Sequence, residues 1–143
     1  AKLIVKFIKE RCAGENVILV GDFNVDQGSE PFKVFADSGI LKCTYDVAKY
    51  RFATNGTLNV FNPRRYTTRR IDHIFVSNDI AVSRYGTLTY HYYRNQKGEL
   101  QEMDTAAPKE IKGENREIKC PTDHYPIQSF VTLKSTTKSK KSK

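Results

Sequence analysis

The chain has 143 residues, a net charge of +8 and a hydrophobic content of 38%. A chain of this length and composition can form one domain with a real core, which excludes a wholly disordered protein and two domains of ordinary size. The last nine residues, 135–143, contain only Lys, Ser and Thr and hold half of the excess charge, so we expect a disordered basic tail there. The remaining positive charge is weak evidence for nucleic-acid binding.

The cysteines and the termini exclude little else. Cys12, Cys43 and Cys120 lack the Cys-x-x-Cys spacing of common zinc sites, and their odd number argues against a fully paired disulfide framework, so we expect free thiols. The sequence shows no apolar run long enough to span a membrane and no signal peptide. It begins at Ala1 within a predicted helix, which we interpret as a missing upstream segment, so the sequence does not predict localisation.

The first part of the chain predicts a helix, a strand and a second helix. The segment "AKLIVKFIKERC" has lysines on one helical face and apolar residues on the other, as in a surface helix that rests on a core. The apolar side chains expected to face the core are Leu3, Ile4, Phe7 and Ile8. Residues 17–20, "VILV", predict a central strand covered on both sides. In "SEPFKVFADSG", Ser29 is a typical N-cap and Gly39 a typical end, which predicts a helix between them.

The later segments favour β-structure. Residues 40–70 predict short strands and loops, 71–76 a strand, and "GTLTYHYYRNQKGELQEM" a hairpin. The charged stretch 104–119 lacks apolar periodicity and predicts a mobile loop. The segment "YPIQSFVTL" predicts a closing strand. One face of that strand would carry Ile127, Ser129, Val131 and Leu133. Helices that alternate with strands, followed by β-rich segments, predict the α/β class, as an α+β layered sandwich.

The first candidate site segment is "GDFN", directly after the apolar strand. Because successive side chains of a strand point to opposite faces, Asp22 and Asn24 project to the same side. The ends of such strands are where open α/β sheets bind ligands. Gly, Asp and Asn are also turn formers, so an Asx turn without a function is the alternative.

Two further acidic segments follow. In "RRIDHIF", Asp72 lies between isoleucines at the start of a strand, where an acid needs a partner, and an ion pair with Arg69 or Arg70 would provide one. In "CPTDHYPI", Asp123 and His124 can serve one site only if they lie in a turn before the strand. An acid next to an imidazole suits metal or phosphate chemistry, and an ordinary surface loop is the alternative.

In this order, "GDFN", "RIDHIF" and "TDHYP" resemble the C-terminal half of the endonuclease/exonuclease/phosphatase superfamily, which has the DNase I-like fold. The resemblance runs from about Lys2 to Leu133. It implies a four-layer, two-sheet α/β sandwich, of which residues 1–134 form the C-terminal portion while the N-terminal half is absent. It also implies a hydrolase of phosphoester bonds that requires Mg²⁺ or Mn²⁺.

The resemblance further implies a role for each polar residue. Asp22 would orient and activate the attacking water, and Asn24 would fix that group and help to bind the phosphate. Asp123 would belong to the Mg²⁺ site. His124 would donate a hydrogen bond to a phosphate oxygen, and Asp72 would orient the ring of His124 and favour its charged form.

The chain departs from the family pattern at three places. Thr122 stands where Ser usually precedes the Asp-His pair, which keeps a hydroxyl group. His73 stands where Tyr is frequent, and because it points away from Asp72 we interpret it as a packing residue. The stretch between "IDHIF" and "TDHYP" is long for the family, and its tyrosine-rich part with Arg94 is an exposed hairpin or a substrate contact.

Part of the family site has no candidate in this sequence. The N-terminal half of the family carries a metal-binding Glu, and no residue before Asp22 is placed for that role. We therefore expect this chain alone to be inactive, its sheet to have an uncovered apolar face, and its partner to be the missing N-terminal half. The substrate would be a nucleic acid, a phospholipid or a phosphorylated small molecule. A non-catalytic binding or scaffold protein that retains the fold is the alternative function.

Overall fold

The computed structural model describes residues 1–95, 97–101 and 117–133. Helices and strands alternate as far as β3 and strands alone follow, which confirms the expected α/β class. In chain order, these elements are α1 (Lys2–Arg11), β1 (Ile18–Asp22), α2 (Glu30–Ala36), β2 (Leu41–Cys43), α3 (Thr44–Val47), β3 (Tyr50–Phe52), β4 (Asp72–Ser77), β5 (Ala81–Thr87), β6 (Tyr92–Arg94), β7 (Leu100–Gln101), β8 (Glu117–Lys119) and β9 (Ile127–Thr132).

The strands form small sheets, each with one central strand. β4 lies between β1 and β2, with both pairs antiparallel. β5 lies between β3, which is parallel to it, and β9, which is antiparallel. β6 lies between β7 and β8. In the first sheet Asp22 pairs with Asp72, so the end of β1 lies beside the start of β4.

The core lies between the helices α1 and α2 and one face of the first sheet. Its centre is Phe75 of β4, which is fully buried and lies 5.2–5.9 Å, between ring centroids, from three other phenylalanines. These are Phe23, Phe32 and Phe35. Burying one such side chain contributes roughly 1.5–3 kcal/mol. This cluster fixes the strand that begins with Asp72.

Helix α1 forms where it was predicted but buries a different face. Val5 and Ile8 are its buried residues, whereas Leu3, Ile4 and Phe7 are 79%, 36% and 58% exposed. The predicted core-facing set is therefore wrong except for Ile8. The apolar residues of the helix form a wide face, and only a narrow stripe at its edge contacts the core. This stripe consists of Val5 and Ile8, which are three positions apart.

Strand β1 forms as predicted but is covered on one side. Leu19 packs against the core, whereas Ile18 and Val20 are 49% and 61% exposed. Within the described part of the chain, β1 is also an edge strand, since it pairs with β4 alone. The prediction of a central strand covered on both sides is therefore wrong here. An apolar run shows that a face can be buried, and it does not show what would cover it.

The remaining predictions have mixed outcomes. The strand at 71–76 and the hairpin are present, as β4 and as β6 with β7. Ile127, Ser129 and Val131 share the less exposed face of β9, but Leu133 lies beyond the strand and is exposed. Residues 117–119 of the predicted loop form β8 instead. The rest of that loop up to 116 and the predicted tail at 135–143 lie outside the described residues.

The cysteines and the helices also bear on the predictions of free thiols and of no membrane span. Cys12, Cys43 and Cys120 are free, as expected. Burial, together with the charge of Asp46, raises the pKa of Cys43 to about 11, so this thiol is not a nucleophile at neutral pH. In the described part of the chain, no helix has the length and apolar character needed to cross a membrane.

Candidate active site

The end of β1 presents an acid and an amide as one unit. The backbone N–H of Asn24 donates to Asp22 Oδ1 at 2.8 Å, and its side-chain amide lies 3.5 Å from Asp22 Oδ2. Asn24 has a φ of +52°, a left-handed conformation that Asn tolerates better than most residues. Both side chains are exposed. The Asx turn and the presentation of a carboxylate, which were alternatives in the sequence, thus occur together.

The start of β4 places Asp72 next to His124. The distance from His124 Nδ1 to Asp72 Oδ2 is 2.8 Å, and both side chains are about four-fifths buried, at 22% and 18% exposed. Asp72 therefore pairs with His124, as the resemblance implies, and not with an arginine. Arg70 instead donates to Gln27 Oε1 at 2.5 Å and lies 3.6 Å from the ring centroid of Tyr45.

The electrostatics of the pair favour the charged imidazole. Burial disfavours the charged ring, but the hydrogen bond to Asp72 and the nearby carboxylates outweigh burial and raise the pKa of His124 above its ordinary value. The carboxylates belong to Asp72, Asp123 and Asp22. Since Nδ1–H donates to Asp72, the second ring nitrogen, Nε2, is the one that a ligand can reach.

The turn before β9 carries Asp123 and His124, as the sequence predicted. Thr122 Oγ1 lies 3.3 Å from Asp123 Oδ1 and accepts a hydrogen bond from the His124 amide at 3.4 Å. The carboxylate of Asp123 is half exposed, and its Oδ2 lies 3.9 Å from His124 Nε2. The hydroxyl group that Thr122 shares with Ser therefore contacts both residues of this turn.

These elements meet at one open cavity of about 350 Å³. Asp22, Asp72 and His124 line it, and one donor atom from each lies within 4.8 Å of the others. Its remaining wall is largely apolar and includes Val20, Ile74 and Ile127. Asn24 and Asp123 lie beside the cavity, next to Asp22 and His124. All five predicted site residues are thus brought to one place.

The donor set fits a hard divalent cation. Mg²⁺ and Mn²⁺ prefer carboxylate oxygens, and Asp22 and Asp123 have exposed carboxylates near the same ring. The compact group of donor atoms consists of Asp22, Asp72 and His124, and it does not include the predicted metal ligand Asp123. Asp72 and Nδ1 of His124 already bind each other, so Asp22 and Asp123 are the better candidates for cation ligands.

Two residues of the loop before β4 lie next to the site but were not predicted from the sequence. Thr57 and Asn59 are fully buried and hydrogen-bond to the backbone on both sides of the Asp72–His124 pair. Neither residue type nor spacing marks them as functional. The available signal was the "GTLNVFN" segment, whose Gly56 has no room for a Cβ atom, since that atom would lie 2.2 Å from the carbonyl oxygen of Arg69.

His73 packs in the core, as predicted. His73 is 2% exposed, its ring centroid lies 5.0 Å from that of Phe32, and its Nε2 lies 2.7 Å from the carbonyl oxygen of Val25. Burial is the main reason why the pKa of His73 lies below its ordinary value. The ring is thus a neutral member of the core on the side of β4 away from Asp72.

Comparison with known proteins adds family and fold information. The model of the Endonuclease/Exonuclease/phosphatase family matches residues 3–124. A mannosyl-6-phosphatase from Bacteroides thetaiotaomicron VPI-5482 is 35% identical, with a TM-score of 0.75, over 92% of this chain and 43% of that protein's chain. An endonuclease/exonuclease/phosphatase family protein from Bacteroides thetaiotaomicron is 34% identical, with a TM-score of 0.74, over 93% of this chain and 43% of that one.

A more distant structure supports the fold alone. An endonuclease/exonuclease/phosphatase from Bacteroides vulgatus is 20% identical, with a TM-score of 0.63, over 92% of this chain and 42% of that one. No match was found among the curated proteins. The chain therefore spans less than half the length of the solved structures that it resembles, at 43% of the first two. Together these likenesses confirm the α/β sandwich expected from the sequence.

Proposed function

Because this chain belongs to the endonuclease/exonuclease/phosphatase family, we propose that it contributes catalytic residues to a divalent-metal-dependent hydrolase of phosphoester bonds. The observation that carries the proposal is the partly buried hydrogen bond of 2.8 Å between Asp72 and His124, beside the exposed carboxylate of Asp22. Such a pair favours the positively charged form of the imidazole, and a phosphoryl group is the natural ligand of that donor.

We favour small phosphomonoesters, sugar phosphates among them, as the substrate class. The support is the 35% identity to a mannosyl-6-phosphatase, which exceeds the identity to the more distant structures. The cavity of about 350 Å³ has the size of a small-molecule site. The moderate positive charge outside the basic 135–143 segment gives little reason to favour a nucleic acid.

In the proposed mechanism, four residues near the cavity act on the water and the phosphate. Asp22 orients the attacking water and accepts its proton, and Asn24 holds that carboxylate through the two contacts described above. His124 donates from Nε2–H to a non-bridging phosphate oxygen, where negative charge increases in the transition state. Asp72 keeps the ring oriented and charged.

A bound Mg²⁺ or Mn²⁺ would supply Lewis-acid stabilisation of the phosphoryl oxygens. Asp123 and Asp22 would hold it, since both carboxylates are accessible near His124. We also propose that the site is completed by a partner segment, the N-terminal half of the family domain, which would bring the metal-binding Glu. The support is the 43% span of the related structures and the exposed apolar residues of β1 next to the cavity.

The test is a hydrolysis assay with the 143-residue chain and with a longer polypeptide that includes the other half of the domain. The substrates are mannose 6-phosphate, p-nitrophenyl phosphate and bis-p-nitrophenyl phosphate, each with Mg²⁺, Mn²⁺ or EDTA. We expect metal-dependent monoester hydrolysis by the longer polypeptide and little by this chain. Metal-dependent turnover by this chain alone would contradict the half-site proposal, and preferred cleavage of the diester would contradict the substrate class.

Substitutions test the residue roles in the same assay. Asp22→Asn and His124→Ala should each lower kcat about 10²- to 10⁴-fold, because Asp22 accepts a proton from the water and His124 stabilises charge in the transition state. The matched controls are Asp37→Asn, at an exposed acid after α2, and His91→Ala, at a histidine that hydrogen-bonds within the hairpin region. Near-normal rates for both site variants would refute the assigned roles.

A further inference from the structure

One buried residue is hydrogen-bonded to both segments that carry the Asp72–His124 pair. The hydroxyl oxygen of Thr57 accepts from the backbone N–H of Ile71 at 3.1 Å and from that of Asp72 at 3.3 Å. The carbonyl oxygen of Thr57 accepts from the N–H of Tyr125, the residue after His124, at 2.6 Å. Thr57 is fully buried. It therefore connects the backbone that carries Asp72 to the backbone that carries His124.

The residues on either side of Thr57 hold the loop firmly in place. On the side of His124, the amides of Asn59 and Val60 both donate to the carbonyl oxygen of Asp123, at 2.8 and 2.9 Å. On the side of β4, the amide of Thr57 itself donates to the carbonyl oxygen of Arg69 at 2.8 Å. The loop has little freedom to shift, since a Cβ atom at Gly56 would overlap the same carbonyl group.

The pair needs such a connection because its members belong to different sheets. Asp72 begins β4 of the first sheet, whereas His124 precedes β9 of the second and forms a single bridge with Leu58. A hydrogen bond between two side chains keeps its length only while both backbones stay in place. Without the hydroxyl group of Thr57, the buried amides of Ile71 and Asp72 would lose this acceptor, so the start of β4 would move toward another one.

We propose that Thr57 is a positioning residue, which holds the backbones of Asp72 and His124 at the separation that their hydrogen bond requires. Its catalytic importance rests on the function proposed above, whereas its effect on the geometry of the pair does not. The relevant comparison is between Thr57→Val, which keeps the shape of the side chain and removes the acceptor, and Thr57→Ser, which keeps the acceptor and removes a methyl group.

The experiment is NMR spectroscopy of the 143-residue chain, with the ring Nδ1–H of His124 and the amides of Ile71 and Asp72 assigned. In Thr57→Val, recorded well below its melting temperature, we expect loss of the hydrogen-bonded Nδ1–H signal and faster amide exchange at both positions. Thr57→Ser should keep the signal. The control is Thr44→Val, which removes an equally buried hydroxyl group that accepts from Ser129 Oγ at 2.8 Å, away from the site.

Two outcomes would overturn the proposal. One is an unchanged Nδ1–H signal in folded Thr57→Val, and the other is loss of the signal in Thr44→Val to the same extent. Should Thr57→Val not fold, Thr57→Ser decides, because loss of the signal in that folded variant contradicts the assigned role of the hydroxyl group.

Activity gives a separate measurement in any polypeptide that shows the proposed hydrolysis. Thr57→Val should lower kcat about 10- to 100-fold, as is typical for residues that orient a catalytic group, with KM nearly unchanged and with rescue by Thr57→Ser. An equal effect on KM, or no rescue, would contradict positioning. Should no phosphoester be hydrolysed, the proposed function fails, while the NMR result for the pair stands by itself.

Discussion

His73 and His124 each follow an aspartate in the sequence but have opposite environments. His73 lies within the aromatic core, where burial is the first reason for its lowered pKa. His124 lies at the cavity, where carboxylates and the bond to Asp72 overcome burial and raise its pKa. The same dipeptide therefore gives a packing residue whose neutral form is favoured in one place and a donor whose charged form is favoured in the other.

Histidine titration by NMR should separate the two rings. In the wild-type chain, His124 should titrate above the ordinary value of about 6.5 and His73 below it. Asp72→Asn should lower the pKa of His124, because the amide cannot supply the negative charge or accept the same charge-assisted hydrogen bond, and should lower the pKa of His73 less, because Asp72 acts on that ring through its charge alone. Asp37→Asn is the control for loss of a distant acid. A His124 that titrates equally in wild type and Asp72→Asn would contradict the electrostatic role of Asp72.

The same shifts have opposite consequences for stability. Because the pKa of His124 is raised in the folded chain, its protonation stabilises the fold. This contribution to the free energy of unfolding is complete at pH values below the unfolded-state pKa and is lost as the pH rises through the folded-state pKa. Because the pKa of His73 is lowered in the folded chain, the neutral ring stabilises the fold. This contribution is complete at pH values above the unfolded-state pKa and is lost as the pH falls through the folded-state pKa. Asp72→Asn should therefore destabilise the chain more at about pH 5.5 than at about pH 9, as urea unfolding would measure.

At this scale, the sequence predicted candidate site residues that the fold brings together, but it did not predict the residues that support them. Asp22 and Asn24 could be placed together because strand alternation is a local rule. Asp72 and His124 could be joined only through family resemblance, since 52 positions separate them. The role of Thr57 depends on backbone hydrogen bonds to residues far away in the sequence, and no side-chain pattern records such bonds.

At the scale of elements, the loop between β3 and β4 has a conformation that its residues do not favour. Ala53, Val60 and Phe61 have φ values of +47°, +52° and +60°, a region that is unfavourable for residues with a Cβ atom. Bonds to Asp123 and to the side chain of Asn59 hold the last two of these residues. The strain is thus balanced by the contacts that join this loop to the turn of His124.

Gly56→Ala tests how closely this loop is seated. The new Cβ atom would lie 2.2 Å from the carbonyl oxygen of Arg69, so the loop must move, at a cost of roughly 1–3 kcal/mol in the free energy of unfolding. We expect changed amide chemical shifts at Asp72 and Tyr125 together with lower stability. Gly14→Ala is the control, because it strains a residue at φ +81° with no atom within 4 Å of the new Cβ.

The outcome for Gly14→Ala defines what the first variant means. It should lower stability without changing the amide shifts at the site, since Gly14 lies in the turn after α1. Unchanged amide chemical shifts at the site in Gly56→Ala would show that the position of the loop does not affect the Asp72–His124 pair.

Helix α1 also shows what the sequence alone could not predict. The sequence predicted the helix, but only its packing decided that Val5 and Ile8 face inward.

At the scale of the whole molecule, two solvent-exposed surfaces are formed by large apolar side chains. One is the sheet surface, formed by Ile18 and Val20 of β1, and the other is the helix surface, formed by Leu3 and Phe7 of α1. The sheet surface continues into the wall of the cavity through Val20. Exposed apolar groups of this kind promote association. The sequence predicted an uncovered apolar sheet face from resemblance, whereas the exposed face of α1 was not expected.

The last prediction is that the 143-residue chain self-associates through the sheet surface at high concentration. Sedimentation velocity should show concentration-dependent dimers or larger species in the wild type and mainly monomers in the double variant Ile18→Lys with Val20→Lys. The matched control is Leu3→Lys with Phe7→Lys, which adds the same charge and removes two exposed apolar groups on α1. Because the sheet surface continues into the apolar wall of the cavity and the helix surface does not, we expect the control to associate like the wild type. Equal loss of association in both double variants would mean that added charge, and not the sheet surface, controls the oligomeric state.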